Sequence, residues 1–206
     1  MTPNHSDPVQ RQPYTIETLC VFCGSSPGAN SAYARAARSF GALLAHQNIT
    51  LIFGGGKVGL MGQLADAVLS NNGKAIGVIP EALVRKEVAH ESLTAMHVVK
   101  TMHERKAMMY RLADGFVALP GGTGTLDEMF EVFTWNQLGY LQKPFGLLNV
   151  EGYFDHLAAF LAHTVAERFV KAEHLDMLLI DAHAESLLNR LRSATHVYHD
   201  KWIDTP

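Results

Sequence analysis

The sequence predicts a single doubly wound, Rossmann-like α/β domain, with a mostly parallel sheet covered by helices on both faces. Short apolar runs alternate along the chain with longer stretches of helical periodicity. The apolar runs are continuous, as is typical of parallel strands that are buried on both faces. Three of them end in glycine-rich turns, and in such sheets ligands bind beyond the carboxyl ends of the strands.

Seven short apolar runs account for the predicted strands. The first run reads Leu-Cys-Val-Phe and leads into a turn rich in glycine and serine. The predicted strands span residues 19–22, 51–53, 75–79, 96–99, 116–119, 145–150 and 177–180. The glycine-rich turns after residues 22, 53 and 119 are therefore expected to face one crevice.

Amphipathic stretches between these runs account for the predicted helices. Residues 31–47 are the clearest case, because Ala37, Phe40 and Leu44 fall on one stripe. Five further helices are predicted. One runs from the glycine-rich segment 54–62 to about residue 70, one contains residues 102–106, and one runs from residues 120–124 to about residue 138. The last two span residues 153–169 and 184–192. Residues 80–93 are predicted to be irregular.

The length of 206 residues and a hydrophobic fraction of 48% fit one packed domain. We expect a flexible N-terminal tail over residues 1–15, the domain over residues 16–193, and a C-terminal tail over residues 194–206. The polar, proline-containing N-terminus does not resemble a signal peptide, and no run approaches the roughly 20 apolar residues of a membrane span. A cytoplasmic location is therefore expected, with no membrane partner.

The formal net charge of −3 argues against a nucleic-acid partner, because nucleic-acid-binding surfaces carry an excess of basic side chains. The two cysteines, Cys20 and Cys23, have the C-x-x-C spacing of a redox pair or half a zinc site. A zinc site would need a second pair, and a thioredoxin-like pair sits at a helix start rather than on a strand. Buried structural thiols are therefore favoured, and no metal site is predicted.

The segment 120–128, Pro-Gly-Gly-Thr-Gly-Thr-Leu-Asp-Glu, joins the fifth predicted strand to a helix. Its glycines let backbone N–H groups approach a phosphate, and the helix dipole favours the anion. Asp127 and Glu128 follow within one turn, where a carboxylate could reach a ribose or an attacking water. The alternative is a capping box between Thr125 and Glu128, which the spacing fits equally well.

The segment 54–59, Gly-Gly-Gly-Lys-Val-Gly, fits the dinucleotide pattern G-x-G-x-x-G only formally. The fingerprint normally follows the first strand, and the expected ribose-binding acid about 20 residues later could only be Glu81. Contact with a phosphate or sugar is favoured here over a tight turn that needs glycine for its backbone angles.

Arg105 and Lys106 are also open to more than one interpretation. They could form a solvated basic face of the helix or an ion pair with Glu104. Alternatively, they could bind an anion, because the planar guanidinium of arginine suits phosphate and carboxylate groups.

Together these motifs strongly resemble the Lonely Guy (LOG) family of cytokinin-activating phosphoribohydrolases, often mislabelled lysine decarboxylases. The resemblance covers roughly residues 17–190 and includes the segments 20–26, 54–62, 102–106, 120–128 and 133–139. It implies a Rossmann-like homodimer, without a cofactor, that hydrolyses an N6-substituted adenosine 5′-monophosphate to the free base and ribose 5-phosphate. The apolar, aromatic helix over residues 130–138 would suit a dimer interface.

The resemblance also implies the site residues. Arg105 and Glu128 fall on the catalytic positions of the family, and Glu87 on an upstream acid for which Glu81 and Glu91 are rivals. The substrate-binding positions that the resemblance implies are Glu87, Lys106, Gly122, Thr123, Gly124, Thr125, Leu126, Asp127 and Thr134. The glycine-rich turns described above add Gly24, Ser25, Gly55, Gly56 and Gly121 as predicted contacts.

Three other functions are compatible with parts of the pattern. A non-catalytic nucleotide sensor would use the same loops, but it would not need both Arg105 and Glu128. A pyridoxal-phosphate decarboxylase would need a Schiff-base lysine with a partner for the pyridine nitrogen, which the sequence does not identify. Nicotinamide-dinucleotide binding at residues 54–59 is the least favoured.

Overall fold

The computed structural model describes residues 15–84 and 89–194. These ranges contain seven strands: β1 (Thr18–Phe22), β2 (Thr50–Phe53), β3 (Ala75–Pro80), β4 (Ala95–Val99), β5 (Gly115–Ala118), β6 (Phe145–Leu148) and β7 (Leu178–Asp181). The helices in the same ranges are α1 (Ser31–His46), α2 (Gly59–Ser70), α3 (Glu81–Val84), α4 (Met102–Leu112), α5 (Thr123–Gln137), α6 (Asp155–Ala166), α7 (Ala172–Leu175) and α8 (Ala184–Ser193).

All seven strands form one parallel sheet in the order β4-β3-β2-β1-β5-β6-β7. The chain moves outward from β1 to β4 and then returns to place β5 on the other side of β1. The sequence order therefore reverses between β1 and β5, which is the topological switch point where ligands bind in open α/β sheets. The strands β2, β1 and β5 are neighbours in this parallel sheet, so the turns that follow them lie side by side at the carboxyl ends of the strands, as predicted.

The core consists of two hydrophobic clusters, one on each face of the sheet. Along β1, Leu19 and Val21 belong to the first cluster, whereas Cys20 and Phe22 belong to the second, because side chains alternate along a strand. Helices α1, α2 and α8 contribute to the first cluster, and α4, α5 and α6 to the second. The predicted doubly wound fold is confirmed.

The sequence located all seven strands but missed two short helices. Helix α3 lies within residues predicted to be irregular, and α7 has only four residues, too few to show a period. Strand β6 ends at Leu148 rather than residue 150, because a 3₁₀ turn at Val150–Gly152 follows, with Glu151 at a φ of 52°. The predicted tails, residues 1–15 and 194–206, fall almost wholly outside the described residues.

Both cysteines are buried and free, as predicted for structural thiols. Burial, followed by the negative charge of Glu128, raises the pKa of each thiol well above its ordinary value. Their side chains belong to opposite core clusters, so Cys20 and Cys23 do not form a pair. In the described ranges, no helix is both long enough and apolar enough to cross a membrane.

Candidate active site

The N-terminus of α5 is the centre of the site. The helix begins at Thr123, and its N-cap residue is Gly122, which has no side chain to satisfy the first N–H groups. Thr125 is therefore the third helical residue and not a cap, so the capping-box interpretation of Thr125 and Glu128 is wrong. The N–H groups of the first turn are left to bind an anion, which the positive end of the helix dipole also favours.

A pocket of about 230 Å³ opens at this helix end, beside the carboxyl ends of β1 and β5. One wall is the first turn of α5, and the opposite wall is the turn that follows β1. The two turns are tied together by a hydrogen bond from the Gly24 N–H to the Pro120 carbonyl, 3.1 Å long. The lining residues are Cys23, Gly24, Ser25, Met61, Arg105, Gly122, Thr123, Gly124, Thr125 and Glu128.

An ion pair forms the floor of this pocket. The Arg105 Nη1 lies 3.2 Å from the Glu128 Oε1, and the two side chains are only 11% and 12% exposed. The Arg105 Nε donates a hydrogen bond of 3.1 Å to the carbonyl of Val78 in β3, and Nη1 also contacts the Met102 sulfur at 3.4 Å. These contacts fix the guanidinium in the pocket, because bonds to two nitrogens restrict both its position and its plane.

Glu104 does not pair with Arg105, although the sequence left that open. Thr101 is the N-cap of α4, and its hydroxyl accepts from the Glu104 N–H at 3.1 Å. The Glu104 carboxylate in turn accepts from the Lys100 N–H at 2.8 Å. Glu104 therefore stabilises the start of α4, in the manner of a capping box, and leaves Arg105 to Glu128.

Lys106 is held by a second, more exposed cluster between the same two helices. Its ammonium lies 2.7 Å from both Asp127 and Glu131, and Glu131 also accepts from the Tyr110 hydroxyl at 2.7 Å. Burial alone would lower the pKa of Lys106, but its bonds to Asp127 and Glu131 raise the pKa overall. Burial, followed by Glu131, raises the pKa of Tyr110. One cation thus faces two carboxylates.

The glycine-rich segment after β2 mainly allows the backbone to pack closely. Gly55 and Gly59 have φ angles of 77° and 62°, which favour glycine. A Cβ on Gly59 would lie 2.2 Å from the backbone carbon of Ser25, so this glycine lets the turn after β1 approach α2. Gly55 and Gly56 do not line the pocket, and they bond instead to the backbone of His90 and Ala89. This geometry supports the tight-turn interpretation, and their contact with substrate stays a prediction.

Half of the sixteen residues predicted for the site line the pocket. The lining includes Arg105, Glu128 and six predicted binding residues, namely Gly24, Ser25, Gly122, Thr123, Gly124 and Thr125. Gly121 borders a neighbouring cavity of about 260 Å³, lined mainly by uncharged side chains such as Tyr33 and Tyr153. The structure brings these residues together, whereas their roles stay predictions.

The remaining predicted residues lie elsewhere. Lys106 and Asp127 belong to the second, more exposed cluster described above. Thr134 is exposed and lies two helical turns beyond Asp127 on the same side of α5. Leu126 packs against the second core cluster. Glu87 lies outside the described residues.

Some residues at the site were not predicted from the sequence. Met61 and Cys23 line the pocket, and both fall in segments that had been singled out as motifs. Gly54 lies directly against Arg105, which no local pattern could indicate. The Tyr153 hydroxyl donates to the Gly121 carbonyl at 2.6 Å and thus holds the glycine turn from a distant part of the chain. Such long-range contacts leave no signal in spacing.

The fold and the pocket together define a Rossmann-like α/β protein with an uncapped helix N-terminus and a nearly buried carboxylate–guanidinium pair at its switch point. The chain matches, over residues 61–191, the model of a family described as "Possible lysine decarboxylase". It is 48% identical over 173 residues to a probable cytokinin riboside 5′-monophosphate phosphoribohydrolase of Oryza sativa subsp. japonica, covering 84% of this chain and 76% of that protein. A cytokinin riboside 5′-monophosphate phosphoribohydrolase of Arabidopsis thaliana is 43% identical over 182 residues, covering 88% and 82%.

The chain belongs to this family, the LOG family, as the motifs indicated. Among solved structures it resembles a molybdenum cofactor binding protein from Rippkaea orientalis, with a TM-score of 0.65, 22% identity and coverage of 89% of this chain and 98% of the other. The molybdenum cofactor carrier protein of Chlamydomonas reinhardtii gives a TM-score of 0.62 at 17% identity, covering 87% and 99%. At these identities the likeness shows the shared fold alone.

Proposed function

We propose that this protein is a phosphoribohydrolase that cleaves the N-glycosidic bond of adenosine 5′-monophosphates, including N6-substituted ones, to the free base and ribose 5-phosphate. The observation that carries the proposal is the buried Arg105–Glu128 pair beside the open N-terminus of α5. The relatives named as phosphoribohydrolases support the same activity at 43–48% identity. The helix end supplies an anion site, and the carboxylate supplies the group that acts on the sugar.

In this proposal the 5′-phosphate binds at the first turn of α5. The N–H groups of residues 123–125 lack partners within the helix, and these residues line the pocket. Ser25, on the opposite wall, offers a hydroxyl to the same anion. Binding by backbone amides requires no lysine at the phosphate, which fits a protein whose formal net charge is −3.

Glu128 acts on the sugar in this proposal. Cleavage of the C1′–N9 bond passes through an oxocarbenium-like ribose, and a nearby carboxylate stabilises that cation, as in other glycoside hydrolases. Glu128 also takes a proton from the water that attacks C1′ and then releases it to solvent, while the departing base takes up a proton at nitrogen from solvent, so that one water is divided between ribose and base. Arg105 compensates the charge of Glu128, so the pocket can hold an ionised carboxylate away from bulk water.

Pyridoxal phosphate does not fit this pocket, despite the older description of the family. A decarboxylase of that type binds its cofactor through a lysine Schiff base. Among the described residues that line the pocket there is no lysine, and Lys106 is already held by Asp127 and Glu131. The proposed hydrolysis proceeds through protein side chains and water.

A nucleotide sensor of the same fold would have less use for the buried pair. Removing two charges from water costs several kcal/mol per ion, which their mutual attraction only partly offsets. An anion site at a helix end binds phosphate without such a pair. The presence of both Arg105 and Glu128 in the pocket lining therefore favours catalysis.

The same proposal includes a homodimer and a cytoplasmic location. Tyr140, just beyond α5, is 78% exposed, and an aromatic side chain at the end of an apolar helix suits an interface. The charged nucleotide substrate does not cross a bilayer unaided, so the enzyme would act where such nucleotides are made. Contacts of the substrate with Lys106, Asp127 and Thr134 are proposed only from the family resemblance.

The direct test is release of free base by the purified protein. Adenosine 5′-monophosphate and its N6-isopentenyl derivative are incubated with the protein, and base and ribose 5-phosphate are separated by chromatography. We expect both products from the monophosphates and almost none from the matching nucleosides, which lack the 5′-phosphate. Binding of the monophosphates without base release would identify a sensor and overturn the proposal.

A further inference from the structure

The guanidinium of Arg105 lies directly on the backbone of Gly54, the residue that follows β2. A Cβ built on Gly54 would lie 2.1 Å from the Arg105 Nη2, 3.3 Å from its Cζ and 3.3 Å from the Met61 sulfur, so that only the contact with Nη2 is a clash. No atom pair tolerates the shortest of these distances, so a side chain on Gly54 and the observed position of Arg105 exclude each other.

Space for Arg105 is what this position requires, and not an unusual backbone angle. The φ angle of Gly54 is not in the left-handed region, unlike those of Gly55 and Gly59. The atoms nearest to a Cβ built on Gly59 belong to the backbone of Ser25. The atom nearest to a Cβ built on Gly54 is instead at the end of the long Arg105 side chain. Alanine at position 54 would therefore displace Arg105 and leave the chain path intact.

We infer that Gly54 is a positioning residue for the reaction proposed above, acting through Arg105. Its bare backbone lets Nη2 lie against the end of β2 while Nε bonds to Val78 and Nη1 reaches Glu128. A methyl group on Gly54 pushes the guanidinium away and breaks this three-point arrangement. The carboxylate of Glu128 then loses the cation that fixes it in the pocket.

Single substitutions give the first test. In base-release assays, Gly54→Ala should lower kcat about 100-fold, because misplacement by about 1 Å has effects of that size. KM should change less than threefold, since the phosphate site on α5 does not contact Gly54. Wild-type kcat in Gly54→Ala would overturn the inference and leave the proposed function standing. An inactive wild-type protein would instead contradict the proposed function.

A double-mutant cycle with Arg105→Met separates positioning from a general loss of structure, and it does not depend on activity. Gly54→Ala should lower Tm by about 2–6 °C in the wild-type background. It should lower Tm by less than about 1 °C in the Arg105→Met background, because the clashing nitrogen is gone. Equal losses in the two backgrounds would overturn the inference.

Gly115→Ala is the matched control for this cycle. Gly115 lies on β5, and the nearest atoms to its built Cβ are the Pro144 carbonyl oxygen at 3.2 Å and a Leu19 methyl carbon at 3.4 Å. Since neither contact involves Arg105, Gly115→Ala should change Tm equally in both backgrounds. In the wild-type background, Gly115→Ala should leave kcat unchanged, whereas Gly54→Ala should lower kcat.

Discussion

Two clusters of charged side chains join helices α4 and α5. The clusters use neighbouring positions of each helix, with Arg105 beside Lys106 on α4 and Glu128 beside Asp127 on α5. Arg105 and Glu128 pair inside the pocket, where both side chains are nearly buried at 11% and 12% exposure. Lys106 is itself only 13% exposed, but its partners Asp127 and Glu131 are 64% and 25% exposed. Consecutive helical residues point about 100° apart, so one step along each helix exchanges a nearly buried carboxylate partner for more exposed ones.

The difference shows what each cluster can do. A buried pair contributes little net stability, but it fixes two charges in a place that water reaches poorly. The contact of Lys106 with the exposed Asp127 is of the kind that contributes at most about 1 kcal/mol and is weakened by salt. We therefore assign chemistry to the Arg105–Glu128 pair, and stability and local charge to the Lys106 cluster.

The largest expected effect comes from removing the buried cation. Arg105→Met keeps most of the side-chain stem but leaves the Glu128 carboxylate without its guanidinium. We expect kcat/KM for base release to fall at least about 10³-fold and the free energy of unfolding to fall by about 3 kcal/mol. Turnover within tenfold of wild type would show that the two clusters do not differ in the way proposed.

Lys106→Met is the matched change at the neighbouring position, and its effect should be much smaller. It leaves two carboxylates, Asp127 and Glu131, near an anionic substrate. We expect KM to rise about three- to tenfold, kcat to stay within twofold, and the rise in KM to shrink at high salt. A fall in kcat comparable with that of Arg105→Met would place Lys106 in the chemistry and remove the contrast.

The smallest expected effect is the share of the alkaline pH dependence of stability that Lys106 contributes. The pKa of Lys106 is raised in the folded protein, so its contribution to stability is fully present below the unfolded pKa of about 10.4 and is lost as pH rises through the folded value. Urea unfolding between pH 9 and 12 should therefore show a steeper loss of stability in wild type than in Lys106→Met. Parallel curves for the two proteins would contradict this assignment.

The sequence predicted the sheet and the position of the pocket because both depend on local patterns. Each strand is a short apolar run, and the proposed anion site is a glycine turn followed directly by a helix. The spacing of Thr125 and Glu128 could not exclude a capping box, since the outcome depends on where α5 begins. The structure decides this by placing the N-cap at Gly122.

Contacts between distant segments could not be predicted in this way. The packing of Arg105 on Gly54 joins residues 51 positions apart (105 minus 54), and only the sheet order brings them together. The partners of Lys106 depend on how α4 and α5 face each other, which no spacing within one helix reveals. The glycine-rich segment 54–62 also allows close backbone packing that its pattern did not reveal, while the contact of Gly55 and Gly56 with substrate stays a prediction.

The most direct test of the central claim compares two glutamates that lie one turn apart on α5. Glu128→Gln and Glu131→Gln remove the same charge from the buried and the exposed cluster, respectively. In base release from adenosine 5′-monophosphate, we predict that Glu128→Gln lowers kcat about 10³-fold, whereas Glu131→Gln stays within threefold of wild type. Near-native turnover by a folded Glu128→Gln protein, or equal losses in the two variants, would contradict the claim that the buried pair carries the chemistry.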